Sequence, residues 1–310
     1  MTEEIIKLPA FAKINLGLRV LGRRADGYHE IETVFQTITL HDNLTFEAKL
    51  NGNLELVCTD PDIPTDKSNL VIRAADALRE RFNVREGARV ELEKVIPAGG
   101  GLGGGSSDAL VALVALAHLW KIGTTKDELS EIGARLGSDV PFFLTGGTAL
   151  GTGTGAEISP LEDAEKMHLV VVTPDVHVPT AEAYKALNSP ALTKDKGVVN
   201  LSVSRTDAEF YDSLREGLSN DFEAVVTRLH PKIGRARDAL KRVGARRAAL
   251  SGSGSSLFGI FENKGEAERA RARLSAETAW RVFACETLSR AEYLRGLGRS
   301  AAVLQSSRGA

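Results

Sequence analysis

The chain has 310 residues, enough for two domains with a sizeable core. Its 43% hydrophobic and 26% charged residues are the balance of a soluble globular protein, and a formal net charge of -2 excludes the broad basic surface of a non-specific nucleic-acid binder. Aromatics are only 5%, so no stacking platform for single-stranded nucleic acid stands out, and the longest apolar run, around 109–119, falls short of the roughly 20 residues of a membrane span. Cys58 and Cys285 lack metal or redox spacing and read as reduced thiols. The acidic start Met1-Thr2-Glu3-Glu4 carries no basic region before an apolar run, so a cytoplasmic protein is expected.

In chain order, Ile14, Leu16, Leu18 and Val20 alternate with Asn15, Gly17 and Arg19, which predicts a strand. Asp26-Gly27 turns the chain into a second strand over Ile31–Ile38, with further strands expected at Asn43–Leu50 and Leu54–Cys58. A Pro- and Asp-rich loop precedes a helix over Asn69–Arg81, with Leu70, Ala74, Ala77 and Leu78 on one face. Ala88–Lys94 alternates again. Beyond the apolar stretch Ala109–Trp120, Thr125-Lys126-Asp127-Glu128 has capping-box spacing for a helix ending near Gly137, and Gly146-Gly147 reads as a turn. Composition shifts around Leu161–Lys166, giving units of 1–162 and 163–299. The second unit reads as strands at His168–Thr173, Arg247–Leu250, Leu257–Phe261 and Trp280–Cys285. Helices are expected at Thr180–Leu187, Phe222–Leu229, Lys232–Val243 and Gly265–Leu274, and strands mixed with helices in each half indicate an α+β protein. The basic cluster Arg235, Arg237, Lys241, Arg242, Arg246 and Arg247 reads as a solvated helix face. Residues 300–310, small and polar, read as a disordered tail.

One stretch needs a special reason. Six of the seven residues from Gly99 to Gly105 are glycine, each about 0.5–1 kcal/mol less favourable than alanine in an ordered backbone. A linker does not run straight into an apolar helix. The G-x-G-x-x-G match at Gly99, Gly101 and Gly104 lacks the acidic residue of a dinucleotide fold, and no lysine precedes Ser106 as in a P-loop. What remains is a glycine loop feeding a helix N-terminus, with Ser106-Ser107-Asp108 as capping types: free N–H groups and a positive helix end, together an anion site.

Three segments resemble the motifs of the GHMP kinase superfamily, which includes galactokinase, homoserine kinase, mevalonate kinase and phosphomevalonate kinase. They are Ala12-Lys13-Ile14-Asn15-Leu16, Pro97–Ser107 and the glycine turn Ser251-Gly252-Ser253-Gly254-Ser255-Ser256. Lys13 through Arg24-Ala25-Asp26-Gly27-Tyr28-His29, and Leu136-Gly137-Ser138-Asp139-Val140-Pro141-Phe142-Phe143, are similar to the branch whose acceptor alcohol bears a cytidyl diphosphate. The likeness spans nearly all of the chain except the tail. It implies a two-domain α+β fold, the N-terminal domain like domain 2 of ribosomal protein S5 and the C-terminal one ferredoxin-like. ATP and substrate would meet in the cleft, for phosphoryl transfer to an alcohol in non-mevalonate isoprenoid precursor synthesis. No nucleic acid or membrane partner is implied, and a monomer or weak homodimer is expected.

The same resemblance implies the site. Pro97, Ala98, Gly99, Gly100, Gly101, Leu102, Gly103, Gly104, Gly105, Ser106 and Ser107 would hold the phosphates, with Asn69 and Lys94 by the adenine. Mg²⁺ would ride on phosphate oxygens with no protein cage, and Asp108 would be useful there only with a metal between it and the phosphates. Asp139 would receive the hydroxyl proton, though an aspartate before Val-Pro is equally a helix N-cap. Lys13 would lie beside Asp139 and orient the hydroxyl, although a lone lysine on an alternating strand usually points to water. Tyr28 and His29 would hold the cytosine with Tyr184 on its other side, and Asn15 and Thr180 would contact substrate; helix packing is the plainer role for Tyr184. Gly252 and Gly254 either approach the ligands or form a plain turn. Two rivals stay open: a kinase of homoserine or a mevalonate derivative, and a silent relative that binds nucleotide or sugar as a regulator.

Overall fold

A computed structural model describes residues 4–187 and 218–305. The loop expected after Leu187 lies mostly outside them, as do 306–310 of the expected tail.

The first sheet is built on two long antiparallel strands, β1 (Ile5–Arg23) and β2 (His29–Lys49). The two strands expected at 31–38 and 43–50 are thus one. No glycine or proline interrupts them, and the inward parity runs unbroken through Leu40, Asp42, Leu44 and Phe46. The sheet order is β3-β4-β2-β1-β8, with β3 at Leu54–Cys58, β4 at Gly87–Glu93 and β8 at Ser219–Asn220. β5 (Thr148–Thr152) also pairs with β2, and β6 (Glu157–Pro160) with β5. A second, antiparallel sheet has the order β11-β7-β10-β9, from β7 (His168–Pro174), β9 (Arg247–Leu250), β10 (Leu257–Phe261) and β11 (Trp280–Glu286).

Helices α1 (Leu70–Phe82), α2 (Gly104–Leu119) and α3 (Lys126–Leu136) cover the first sheet. The capping box at Thr125 and Glu128 starts α3 as its spacing predicts. Helix α2 is apolar all round and is buried accordingly. It begins at Gly104, with Gly103 as the N-cap and no capping side chain, so Ser106–Asp108 lie inside its first turns instead of before it. A short helix α4 (Val140–Phe143) follows α3. In the second half, α5 (Thr180–Leu187), α6 (Phe222–Leu229), α7 (Pro231–Arg242) and α8 (Lys264–Leu274) pack with the second sheet.

The end of the chain corrects the expectation of disorder from residue 300. After α9 (Arg290–Gly296), a 3-10 turn (Gly298–Ala301) leads to α10 (Ala302–Gln305), and Tyr293, Leu297, Ala301 and Leu304 are buried in the first core beside α2. Averaging over a polar tail hid the apolar turn Ala301-Ala302-Val303-Leu304. Gly146 makes room, because a Cβ there would lie 2.1 Å from the Tyr293 ring. The phenol hydroxyl donates to the Phe143 carbonyl at 2.5 Å. The expected boundary falls between β6 and β7, yet the first core draws on residues well beyond it.

A third core cluster joins the sheets: Ile14, Val34, Ile38, Ile96 and Leu102 from the first half meet Leu169, Val171, Phe258 and Cys285 from the second. The halves are therefore packed, not tethered, and the glycine loop lies at their seam. Among the described residues no helix is long and apolar enough to cross a membrane. Leu304→Ala should lower the unfolding free energy by about 2–4 kcal/mol in a urea titration, and deleting 300–310 should lower it further; an unchanged midpoint in both would remove this segment from the core.

Candidate active site

The glycine loop is held by its carbonyl oxygens. Gly100 O accepts the Ser256 N–H at 3.0 Å, Gly101 O accepts the Ser251 hydroxyl at 3.0 Å, and Leu102 O accepts the Lys13 N–H at 2.9 Å. In a trans peptide the next N–H points the opposite way. The N–H groups of Gly101, Leu102 and Gly103 are thus turned from the protein side, and the uncapped first amides of α2 continue the row. Gly101 has φ +77°, and a Cβ on it would lie 2.2 Å from the Ser251 carbonyl oxygen. At Gly103 (φ +69°) a Cβ would lie 2.9 Å from Lys13 Cγ. Bare backbone is required at both. Leu102, 1% exposed, plugs into the core between the sheets.

This loop lines a cavity of about 310 Å³ together with Asn69, Lys94 and Asp108. Pro97 through Ser106 all reach it; Ser107 does not, being buried with its hydroxyl unpartnered. Asn69 borders the cavity, but its carboxamide caps α1, accepting the Val71 N–H at 2.9 Å and donating to Pro64 O at 2.7 Å. Lys94 is likewise not a free cation. Its ammonium bridges Asp42 at 2.5 Å and Asp108 at 2.7 Å, all three side chains being buried. Burial works against the ammonium, but the Asp108 and Asp42 carboxylates outweigh it and hold Lys94 above its ordinary range. One ammonium cannot serve two carboxylates equally. Burial, then the Asp42 charge, push Asp108 up to about 7 against the pull of Lys94. Asp108 therefore meets a lysine, where the sequence suggested use only through a metal.

Lys13 does not point to water. The β1–β2 ladder shifts register between Phe11 and Lys13 and again between Asn15 and Gly17, which re-aims the side chains between the shifts. The Lys13 ammonium is 2.9 Å from Asn15 Oδ1 and 3.3 Å from Asp139 Oδ2, above the Phe35 ring. Asp139 stands before α4 without a capping hydrogen bond, so its carboxylate is turned to Lys13 and partly to solvent. Asn15 is tied at both ends of its carboxamide, its Oδ1 accepting from Lys13 and its Nδ2 donating to the Thr33 hydroxyl at 2.7 Å. It orients Lys13 and keeps a second Nδ2 hydrogen that no described bond uses.

A larger cavity of about 1030 Å³ is bordered by Tyr28, His29, Arg135, Thr180, Tyr184 and Ser138, the residue before Asp139, although neither Lys13 nor Asp139 lines it. The His29 and Tyr184 rings are stacked on each other at 4.5 Å, and Tyr184 sets its edge on Phe222 at 4.8 Å. Packing and pocket-lining thus coexist at Tyr184, with no gap for a third ring between it and His29. Tyr28 is 66% exposed on the rim. Burial, then the Arg23 charge, lower the His29 pKa and favour a neutral ring. Burial, then the Asp139 charge, push the Tyr184 phenol up to about 12, so the carboxylate's field reaches this pocket. The Thr180 hydroxyl is 3.1 Å from that of Ser253.

Sequence reasoning missed two parts, Asp42 and Asn220. Asp42 accepts the Val95 and Ile96 N–H groups and anchors the approach to the loop; its signal was an acid at an inward strand position. Asn220 donates to the carbonyls of Leu250 and Gly252, both at 2.9 Å, and left no signal. The turn Ser251–Ser256 grips the glycine loop rather than lining its cavity.

Residues 69–147 match the family described as GHMP kinases N terminal domain, and 201–279 match GHMP kinases C terminal. The chain is 44% identical over 275 residues to the 4-diphosphocytidyl-2-C-methyl-D-erythritol kinase of Prosthecochloris aestuarii, covering 87% of this chain and 94% of the relative. It is 42% identical over 274 residues to the kinase of that name from Pseudomonas entomophila, covering 88% and 90%. A crystal structure of 4-(cytidine 5'-diphospho)-2C-methyl-D-erythritol kinase superposes with a TM-score of 0.75 at 35% identity, over 91% of this chain and 99% of that one. On sequence and fold together, the chain belongs to the GHMP kinase family, among the relatives that bear this kinase name.

Proposed function

We propose that the chain transfers the γ-phosphoryl group of ATP to the 2-hydroxyl of 4-diphosphocytidyl-2-C-methyl-D-erythritol, giving the 2-phosphate and ADP, in non-mevalonate isoprenoid precursor synthesis. The observation that carries this reading is the Lys13–Asp139 pair, 3.3 Å apart, beside both a row of main-chain amides and an aromatic-walled cavity. The amides fit a polyphosphate: bare backbone donors and a helix N-terminus are an anion cradle that needs no charged side chain. Bound ATP supplies the phosphoryl group and departs as ADP.

Asp139 receives the acceptor's proton as its oxygen bonds to phosphorus, and the Lys13 ammonium orients carboxylate and hydroxyl together. Asn15 and Thr33 fix the lysine. His29, Tyr184 and the rim residue Tyr28 take the cytosine by stacking and edge contacts, Thr180 lying beside them. Among the described residues no three His, Cys, Asp or Glu side chains form a metal cage, and Asp42 and Asp108 are committed to Lys94. In this reading Mg²⁺ rides on phosphate oxygens and water. The reading includes a cytoplasmic enzyme, monomeric or weakly dimeric.

The direct test is an ADP-release assay with the cytidyl-diphospho alcohol, homoserine, mevalonate and galactose side by side; turnover of any of the last three in preference to the first overturns the substrate assignment. Asp139→Asn should reduce kcat by about 10²–10⁴-fold with nucleotide affinity retained, and near-normal turnover would rule out its role as the base. Tyr28→Ala and Tyr184→Ala should each weaken the cytidyl substrate by about 1–3 kcal/mol in KM, with KM for ATP unmoved. Gly101→Ala should abolish measurable nucleotide binding by equilibrium dialysis, because its Cβ meets the Ser251 carbonyl.

A further inference from the structure

We propose that the nucleotide's polyphosphate is bound together with one proton, taken from solvent by the Asp42–Lys94–Asp108 cluster beneath the phosphate loop. The proposal rests on the reading of that loop as the polyphosphate site. The cluster touches the cradle itself: Asp108 borders the loop's cavity, and a Cβ on Gly104, the first residue of α2, would lie 3.1 Å from the Lys94 ammonium. Two carboxylates and one ammonium leave a buried charge of -1 where a polyanion is to sit.

The two carboxylates are unequal. Asp42 accepts three donors: the ammonium at 2.5 Å, Val95 N–H at 2.6 Å and Ile96 N–H at 2.8 Å. Asp108 accepts only the ammonium, at 2.7 Å, and its buried Oδ1 has no partner. Asp108 is the oxygen pair on which a proton does least harm. With one oxygen buried and unpartnered beside a second carboxylate, Asp108 is the place for a proton to go when negative charge arrives, and burial and the Asp42 charge already push it up to about 7.

The surroundings offer few competing groups. On β1, Lys13 is turned to Asp139. On β3, burial holds the Cys58 thiol above its ordinary range, with Asp60 nearby. Helices α1 and α4 turn apolar faces inward through Val71, Ala74 and Ala75, and through Phe142 and Phe143. The remaining candidate is His177, which faces the loop from the second half: a Cβ on Gly99 would lie 3.3 Å from its Nδ1.

The experiment is calorimetry of the full chain with the Mg²⁺ complex of adenosine 5'-(β,γ-imido)triphosphate at pH 7.8, in two buffers of different ionisation enthalpy. We expect between about half and one proton taken up per nucleotide, and affinity falling by up to about tenfold per pH unit above 7. Asp108→Asn should bind with neither effect, while His177→Gln should keep both. No uptake by the unsubstituted protein, uptake retained in Asp108→Asn, or uptake lost in His177→Gln would each overturn the proposal. Should Asp108→Asn fail to fold, the unsubstituted protein and His177→Gln decide between the two groups. Nucleotide bound without a proton refutes this proposal alone; no nucleotide bound at all refutes the reading of the loop with it.

Discussion

The site depends on where three carbonyl oxygens of the glycine loop are tied. A glycine-rich segment with free peptide planes would present amides and carbonyls to its cavity in turn, and a polyanion would gain little from it. Here Gly100, Gly101 and Leu102 each spend the carbonyl on the protein, two of them on the turn Ser251–Ser256 and one on Lys13. Planarity of the peptide then decides where the amide hydrogens face. The buried Leu102 side chain fixes the loop's depth in the core between the sheets, so the cradle is set by packing as well as by hydrogen bonds.

The same bond that ties Leu102 places the Lys13–Asp139 pair. The Lys13 N–H leaves the strand ladder where the β1–β2 register shifts, and bonds the loop. Its side chain runs past Gly103, where no Cβ obstructs it, to Asn15 and Asp139. Backbone and side chain of one residue thus join the anion cradle to the carboxylate. Lys13 itself is held by β1, while Asp139 reaches it from the turn that leads into α4.

Much of this was legible in the chain. Periodicity and turn residues place most of the strands and helices, because an alternating or 3.6-period apolar pattern survives in any fold that buries one face. The glycine run signals a need for bare backbone, because its conformational cost needs a reason, and Gly101 and Gly103 do require it. What failed did so for identifiable causes. Capping residues Ser106–Asp108 suggested a later start for α2, but Gly103 at positive φ already turns the chain into the helix. Asn69 and Lys94 border the cavity as expected, but the expectation did not include their protein partners: Asn69 caps α1, and Lys94 bridges Asp42 and Asp108, which lie 52 and 14 residues away. Asp42, Asn220 and the Tyr293–Leu304 segment act through partners more than 25 residues away, which local pattern does not encode.

One turn touches the elements that border both cavities. Ser251 and Ser256 bond the glycine loop, while Ser253, between them, meets Thr180 at the start of α5, the helix that carries Tyr184. Asn220 clamps that turn from behind through two carbonyls, and the Asp221 carboxylate accepts the Val20 N–H of β1. The start of α5 and the glycine loop thus meet at one turn. The two halves of the chain are joined at the point where donor and acceptor would have to be aligned to within fractions of an ångström, which is the alignment that phosphoryl transfer demands of a protein contributing little covalent chemistry of its own.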